Sequence, residues 1–418
     1  MRNGQTEVLV VGAGPVGLWT TLLLSRAGLE PTLIDREERT AARSYACALH
    51  PRSLEMLQRE GLLEPALALG RKVTTMAFYE GTERRGALDL SRNGSQFGYL
   101  LILPQNALEG LLEQRLKQAG VKVQWRHRLD DLVDEEEAVT ATVEELQGTA
   151  SGYIVPHWEM VVKSRTAVRA QFLVGADGHA SLVRQRLHFD LQRLGPTTNF
   201  AAYEFETADH CADEVRVVLD GQTTNVLWPL PNNRYRWTFQ LLHGEAEFPE
   251  KERRAVRLDQ PEVDERLKQY VEKVARQRAP WFEAKVSRIT WCSRVAFEQS
   301  LAGAFGRHRC WLAGDAAHQT GPVGVQSMNA GFAEADGLCA LMAKVLKQEA
   351  EFSALNEYNQ LWQKEWQRLL GGQLRVQPQA KTNPWFGQKV SELRSCLPGL
   401  GTELGGLAAQ LGLEFPVT

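Results

Sequence analysis

Val8-Leu9-Val10-Val11-Gly12-Ala13-Gly14-Pro15-Val16-Gly17 is the stretch on which the fold turns. Four aliphatic residues in a row suit a strand buried on both faces of a parallel sheet. The glycines and proline then break the strand and open a helix that runs to about Gly28, a natural C-terminal stop. Pro31 to Asp35 reads as the next strand, with an acid at its end. Glycine lets the backbone turn sharply and approach a pyrophosphate, whose charge meets the amides and the positive end of the helix. The later aspartate can accept hydrogen bonds from ribose hydroxyls. Strand, glycine turn, helix, strand and acid in that order predict a dinucleotide site, without separating NAD from FAD. The same run is uncharged from Val8 to Leu24 and follows Arg2, as a secretory signal would. Its internal glycines and proline argue against a signal and against a membrane span.

Outward from this unit, helices are expected over Arg52 to Gly61 and Asn106 to Gly120, and a strand over Val121 to Arg126. The acidic run Asp134-Glu135-Glu136-Glu137 reads as a solvated turn. From about residue 190 to 245 short alternating segments, Val215 to Leu219 and Tyr235 to Leu241 among them, predict an antiparallel sheet. Trp228-Pro229-Leu230-Pro231 reads as an edge or bend of that sheet. Glu262 to Gln277 carries Val263, Leu267, Val271 and Val274 at helical spacing, which predicts an amphipathic helix covering it. The tail, with Trp385, Phe386, Leu393, Leu397, Leu400, Leu404, Leu407 and Leu411, predicts helices packing back on the body. No repeat or low-complexity linker separates these parts.

The 418 residues carry 48 basic and 51 acidic side chains, so neither nucleic acid nor an anionic membrane is the expected partner. Hydrophobic residues make up 43% and charged residues 24%, as in soluble globular chains. Six scattered cysteines without a C-x-x-C pair point to reduced thiols in the cytoplasm. No histidine pair has metal-ligand spacing, and no metal is expected.

Two further stretches decide between the dinucleotides. Trp311-Leu312-Ala313-Gly314-Asp315-Ala316-Ala317-His318, followed by Gly321-Pro322-Val323-Gly324 and Asn329, resembles the second FAD-binding signature of class A flavoprotein monooxygenases, the para-hydroxybenzoate hydroxylase family. Val174-Gly175-Ala176-Asp177-Gly178, continuing to Arg184, resembles the aspartate-glycine motif of the same family. The resemblance spans residues 6 to about 346. It implies an α/β fold: a Rossmann-like FAD-binding domain over 1–72, 100–188 and 286–350, interwoven with an antiparallel substrate domain over 73–99 and 189–285. A C-terminal helical region over 351–418 would complete it. Ending at residue 418, the sequence is expected to lack the thioredoxin-like domain that larger members carry.

Carried over position by position, the resemblance assigns the FAD diphosphate to Gly12, Gly14, Pro15 and Gly17, and the adenosine ribose to Asp35 with Arg36 beside it. Asp315, next to Gly314, would hold a ribityl hydroxyl. Gln105 and either Arg43 or Arg52 would contact the ribityl-phosphate region. Pro322, Gly324, Ser327, Met328 and Asn329 would line the isoalloxazine, and Asp177 would support the cleft with Arg184. Arg236, His318 and Pro322 are the catalytic candidates, with His318 read by preference as a brace for the loop; His50 is read with the same caution. Trp228 and Trp237 are either pocket walls or, by preference, core. The chain departs from the family pattern in having Val325 and Ser327 where many members have glycine, and Gln299 where the phenolic branch has arginine.

The activity so implied is NADH- or NADPH-dependent hydroxylation of an aromatic or polyketide-like small molecule, with O2 as co-substrate and a flavin C4a-hydroperoxide as the oxygen donor. The alternatives are another FAD oxidoreductase on the same scaffold (an epoxidase, reductase or halogenase), or an FAD-bound protein that sequesters an intermediate without turnover. A monomer or homodimer is expected.

Overall fold

The computed structural model describes residues 4–40, 46–151, 157–211, 213–242, 261–370 and 376–414. The strand Gln5–Val11 lies at the centre of an eight-stranded sheet, parallel to Pro31–Asp35 on one side and to the end of His157–Gly175 on the other. Val8, Leu9 and Val10 have no exposed surface, as a strand covered on both faces requires. Val123–Trp125 and Cys310–Leu312 extend the parallel sheet at its two flanks. The helix Pro15–Arg26 packs on both Gln105–Gln118 and Gln326–Leu346. The residues between Val139 and Val168 leave this sheet as a long antiparallel hairpin, flanked on one side by His127–Asp134.

The second sheet has seven strands in the order Arg288–Phe297, Thr198–Glu206, Arg234–Leu241, Thr224–Pro229, Val215–Leu219, Thr75–Glu80 and Glu83–Asp89. Its alternation sorts side chains cleanly. Tyr203, Phe205, Tyr235, Trp237 and Phe239 form an apolar layer with Leu267, Val271 and Val274 of the amphipathic helix Pro261–Arg278. Of the edge or bend expected at Pro229 the bend holds and the edge does not: its strand is interior, between Val215–Leu219 and Arg234–Leu241. The proline is tolerated because it is the last residue of the strand, where the chain turns and Leu230 N–H bonds to Arg234 O at 2.8 Å.

The C-terminal helices Leu355–Leu370, Pro384–Gln388, Val390–Cys396 and Gly401–Gln410 return onto the body. Leu393, Cys396 and Leu397 have no exposed surface and belong to the same core as the first strand. None of the six cysteines forms a disulfide. Among the described residues no helix is long and apolar enough to cross a membrane, and no cluster of His, Cys, Asp or Glu could hold a metal ion.

Candidate active site

The glycine turn is built by close approach of backbones. Gly12 has φ +102°, and a Cβ on it would lie 2.3 Å from Ala176 O; one on Gly17 would lie 1.8 Å from Gly12 O. Both positions exclude any side chain. Gly14 differs, because a Cβ there meets no atom within 4 Å. It caps the helix Pro15–Arg26 and opens onto free space. Asp35 turns onto the same loop: its Oδ2 accepts from Ala13 N–H at 2.5 Å and its Oδ1 from Glu37 N–H at 2.8 Å. Arg36 stands in solvent and pairs with Glu37 at 3.5 Å.

The second signature docks directly on the first. Gly314 (φ +64°) and Gly331 both lie against Val16, where a Cβ on either would come within 2.9 and 2.6 Å of Val16 Cγ2. The tight turn Gly314–Ala316 is held from three directions. Gly314 N–H donates to Glu334 Oε2 at 2.8 Å, Ala313 N–H to Gly175 O at 3.0 Å, and Arg184 Nη1 to Ala316 O at 2.8 Å. Arg184 is therefore a buried clamp on this turn, with its Nη2 bonded to His179 O at 2.9 Å. Asp177 holds the start of the short helix Leu182–Arg186 by accepting from Ser181 Oγ, Leu182 N–H and Val183 N–H at 2.5, 2.7 and 3.2 Å.

Asp315 is the exception in this tightly bonded region. It is exposed and has no hydrogen-bond partner among the described residues. Even so, desolvation by the protein closing round it pushes its carboxyl above the usual carboxylate range, with His318 and His179 opposing the shift. A carboxylate that is both reachable and surrounded stands in a cleft, and it lacks a donor. That open acceptor, the open cradle at Gly14 and the helix end beside it fit a polyhydroxylated diphosphate such as FAD.

His318 is corrected as a candidate acid or base. Its ring is fully buried, stacked on Trp366 with centroids 3.7 Å apart, and its Nε2 lies 2.8 Å from Glu334 Oε1. Glu334, itself without exposed surface, also accepts from Trp366 Nε1 at 2.7 Å. An imidazole sealed between a tryptophan and a carboxylate reaches no substrate. Nothing in the sequence singled out Glu334, which sits inside a long apolar helix.

The loop after Asp315 ends in the helix Gln326–Leu346, and Val325 caps that helix at φ +49°, a conformation costly for a β-branched residue. Asn329 locks it. Its Oδ1 accepts from His50 N–H at 2.8 Å and Ser53 Oγ at 2.7 Å, while its Nδ2 donates to Ala48 O at 3.0 Å and Val325 O at 2.8 Å. All four hydrogen-bonding valences of the side-chain amide are used within the protein. Gly324 is enclosed too: its N–H bonds to Ser395 O at 3.0 Å and its O lies 2.9 Å from His50 Nε2. Gln326 Nε2 reaches Leu397 O at 3.1 Å. Met328 is buried, and Ser327 Oγ accepts from Thr320 N–H at 3.2 Å. Gln105 Oε1 accepts from Ala46 N–H at 3.1 Å. Arg52 is exposed and its charge acts on Glu403 of the C-terminal helices, while Arg43 lies outside the described residues.

Burial pushes the His50 imidazole down to about 4 from 6.5. The native state keeps it neutral, so between those values the unfolded chain binds the extra proton and stability falls as pH falls. The whole effect is roughly 3 kcal/mol, of which about 2 kcal/mol is lost by pH 5. Urea unfolding should show a lower midpoint at pH 5 than at pH 7, and His50→Gln should shrink that difference.

Beyond Pro322 a pocket is lined by Cys47, Phe200, Ala202, Trp228, Arg236, Thr238, Trp291, Val295 and Phe297. Trp237 is core, the preferred reading: it points to the opposite face of the sheet and stacks on Phe239 with centroids 5.1 Å apart, whereas Trp228 is a pocket wall. The cavity is about 20 Å³, room for about one water. A larger cleft of about 300 Å³ beside Trp125 and His127 touches none of the signature residues. Burial pushes the Cys47 thiol up to about 11.

Arg236 is buried in the pocket wall, its Nε 3.1 Å from Glu204 Oε1 on the neighbouring strand and its guanidinium 5.2 Å from the centre of the Trp291 ring. Sequence reading missed Glu204, because only the register that sets it opposite Arg236 reveals the pair. Arg236→Met should cost about 3–5 kcal/mol in urea unfolding by leaving the buried Glu204 carboxylate with only Arg234, 3.9 Å away, and Glu204→Leu added to it should recover most of that loss.

A family model described as "FAD binding domain" matches residues 5–370. The chain belongs to that FAD-binding family. Among curated members it is similar to 6-methylpretetramide 4-monooxygenase of Streptomyces rimosus, at 30% identity over 84% of this chain and 58% of the relative. It is 28% identical to para-nitrophenol 4-monooxygenase of Pseudomonas sp. (strain WBC-3), over 84% of this chain and 81% of that one. It spans 64% of a third relative, an uncharacterized aromatic compound monooxygenase of Bacillus subtilis (strain 168). Solved structures share the fold. A p-nitrophenol 4-monooxygenase from Pseudomonas putida DLL-E4 aligns with TM-score 0.70 and 22% identity, over 88% of this chain and 86% of that one. Aklavinone-11 hydroxylase with FAD and aklavinone aligns at 0.68 and 22%, over 89% and 67%. Like these flavoproteins, this FAD-binding chain combines the parallel and antiparallel sheets that the signatures led one to expect.

Proposed function

We propose that this FAD-binding protein is a monooxygenase that uses NADH or NADPH and O2 to hydroxylate a small aromatic molecule. The observation that carries the reading is that Pro322, on the loop that follows the unpartnered Asp315, lines a pocket walled by Phe200, Trp228, Trp291 and Phe297. The names of the curated relatives, monooxygenases of nitrophenol and of a polyketide-type substrate, support the same chemistry.

The residues divide the work. Gly12, Gly14 and the amide end of the helix Pro15–Arg26 would receive the FAD diphosphate, and Asp315 a ribityl hydroxyl. Bound FAD would take hydride from the nicotinamide and activate oxygen. Asn329, Arg184 and Glu334 shape the loops that face the cofactor but spend their polar atoms on the protein. In the pocket, aromatic walls orient a flat ring and exclude water. Arg236, paired with Glu204, brings a cation and an anion to the wall together, which favours a neutral or phenolic ring over a dianion. Among the described lining residues no imidazole or carboxylate faces the ring, and the Cys47 thiol is held protonated. At about 20 Å³ the pocket admits a ring only when its side chains move apart. Six cysteines without a disulfide support a cytoplasmic setting.

The test is a screen of phenols and fused-ring aromatics for accelerated NAD(P)H oxidation by the FAD-loaded protein, with mass spectrometry of the product. A product carrying one added oxygen is expected. Accelerated oxidation without an oxygenated product, or no response to any aromatic, would overturn the reading.

A further inference from the structure

We infer that the protein pairs with a second copy of itself through the free edge of the strand His157–Gly175, joining the two nucleotide sheets in antiparallel fashion about Val161. On the side away from Val139–Ser151 this strand has a partner only from Arg169 onward. From Glu159 to Ala167 every residue is exposed, and no described strand covers that edge. Met160, Val161 and Val162 are 44%, 42% and 41% exposed, an unusual apolar run for a bare edge strand.

The edge is self-complementary. Its sequence reads Glu159-Met160-Val161-Val162-Lys163, an acid and a base at the two ends of an apolar centre. Turned antiparallel on itself about Val161, it sets Glu159 opposite Lys163 twice, Met160 opposite Val162 twice, and Val161 opposite its own copy. Opposite charges and apolar pairs placed directly across each contribute favourably. A lysine in mid-edge ordinarily discourages pairing. Here Lys163 already pairs with Glu145 of its own chain at 2.6 Å, and a second copy adds Glu159, which has no ion pair within its own chain among the described residues.

The backbone has the right polarity for this register. Leu146 donates its N–H to Arg126 O at 2.7 Å, on the side away from His157–Gly175. Leu146 and Val162 are therefore a pair whose backbone groups point apart, so the N–H and C=O of Val162, and of Met160 two residues before it, face the free edge. Those are the residues that the proposed register places opposite each other. Val161 then falls in the closer, non-hydrogen-bonded type of pair. The register irregularity opposite Glu145 and Leu146 falls at Lys163 and ends the regular ladder there.

The test is oligomeric state by light scattering and sedimentation up to about 100 μM, a range that captures small interfaces. Wild-type protein should dimerise. Glu159→Lys sets base against base across the pair without breaking an ion pair within the chain and should weaken the dimer at least about tenfold, while adding Lys163→Glu together with Glu145→Lys, which keeps the pair inside the chain, restores complementarity and should restore the dimer. Val161→Cys should form a disulfide-linked dimer on oxidation that wild-type protein does not form, because non-hydrogen-bonded cross-strand pairs lie within disulfide reach. Circular dichroism shows that each variant is folded. A wild-type monomer at the highest concentration, a dimer indifferent to Glu159→Lys, failure of the triple exchange to rescue, or no cross-link from the Val161→Cys variant would each overturn the proposal.

Discussion

Asp315→Ala protein is expected to purify with little flavin, and to bind added FAD about 10- to 150-fold more weakly than the parent. The range corresponds to the roughly 1.5–3 kcal/mol of a hydrogen bond accepted by a charged group. In the folded protein Asp315 makes no hydrogen bond to any described residue, so its carboxylate contributes nothing to holding the turn and its removal should leave the fold intact. Desolvation already raises its carboxyl, and a hydroxyl donor would relieve that cost. Flavin absorbance per mole of protein and FAD titration by fluorescence measure the effect. Asp315→Asn, which keeps an acceptor, should fall between. An alanine variant as yellow as the parent would remove Asp315 from the cofactor site.

Glu334→Leu should do the opposite kind of damage. Three groups converge on that buried carboxylate: Gly314 N–H, Trp366 Nε1–H and the His318 ring. Leucine leaves the two N–H donors unpaired in a dry interior and removes the carboxylate beside the His318 ring, at a cost of about 3–5 kcal/mol in unfolding free energy. The Gly314–Ala316 turn loses its anchor as well, so flavin content should fall along with stability. Glu334→Gln retains one acceptor and should recover part of both. Urea unfolding separates the two variants from Asp315→Ala, which affects flavin alone.

Much of the scaffold could be read from the chain because it rests on local rules. The Gly12 and Gly17 turn, the strand that precedes it and the helix that follows are encoded within a few residues. The amphipathic spacing of Val263, Leu267, Val271 and Val274 likewise announces the cover of the second sheet. What escaped depends on register and tertiary contact. Trp228 and Trp237 look alike in sequence, and only the pairing of their strands sends one to the pocket and the other under the helix. Glu204 acquires meaning from the cross-strand position of Arg236, and Glu334 from a tryptophan 32 positions away. Asn329 and His318 were conspicuous for their place in a signature. Their polar atoms serve the loops instead, which a motif cannot show because it records position and not partner.

The carbonyls of Ser395 and Leu397 that hold Gly324 and Gln326 come late in translation, Leu397 71 positions after Gln326. The diphosphate turn at residues 12–17 can form early on the ribosome, yet the ring side of the cleft has no fixed wall until those carbonyls emerge. A nonsense mutation between residues 346 and 395 would leave both signatures intact and is expected to yield a product that retains flavin poorly.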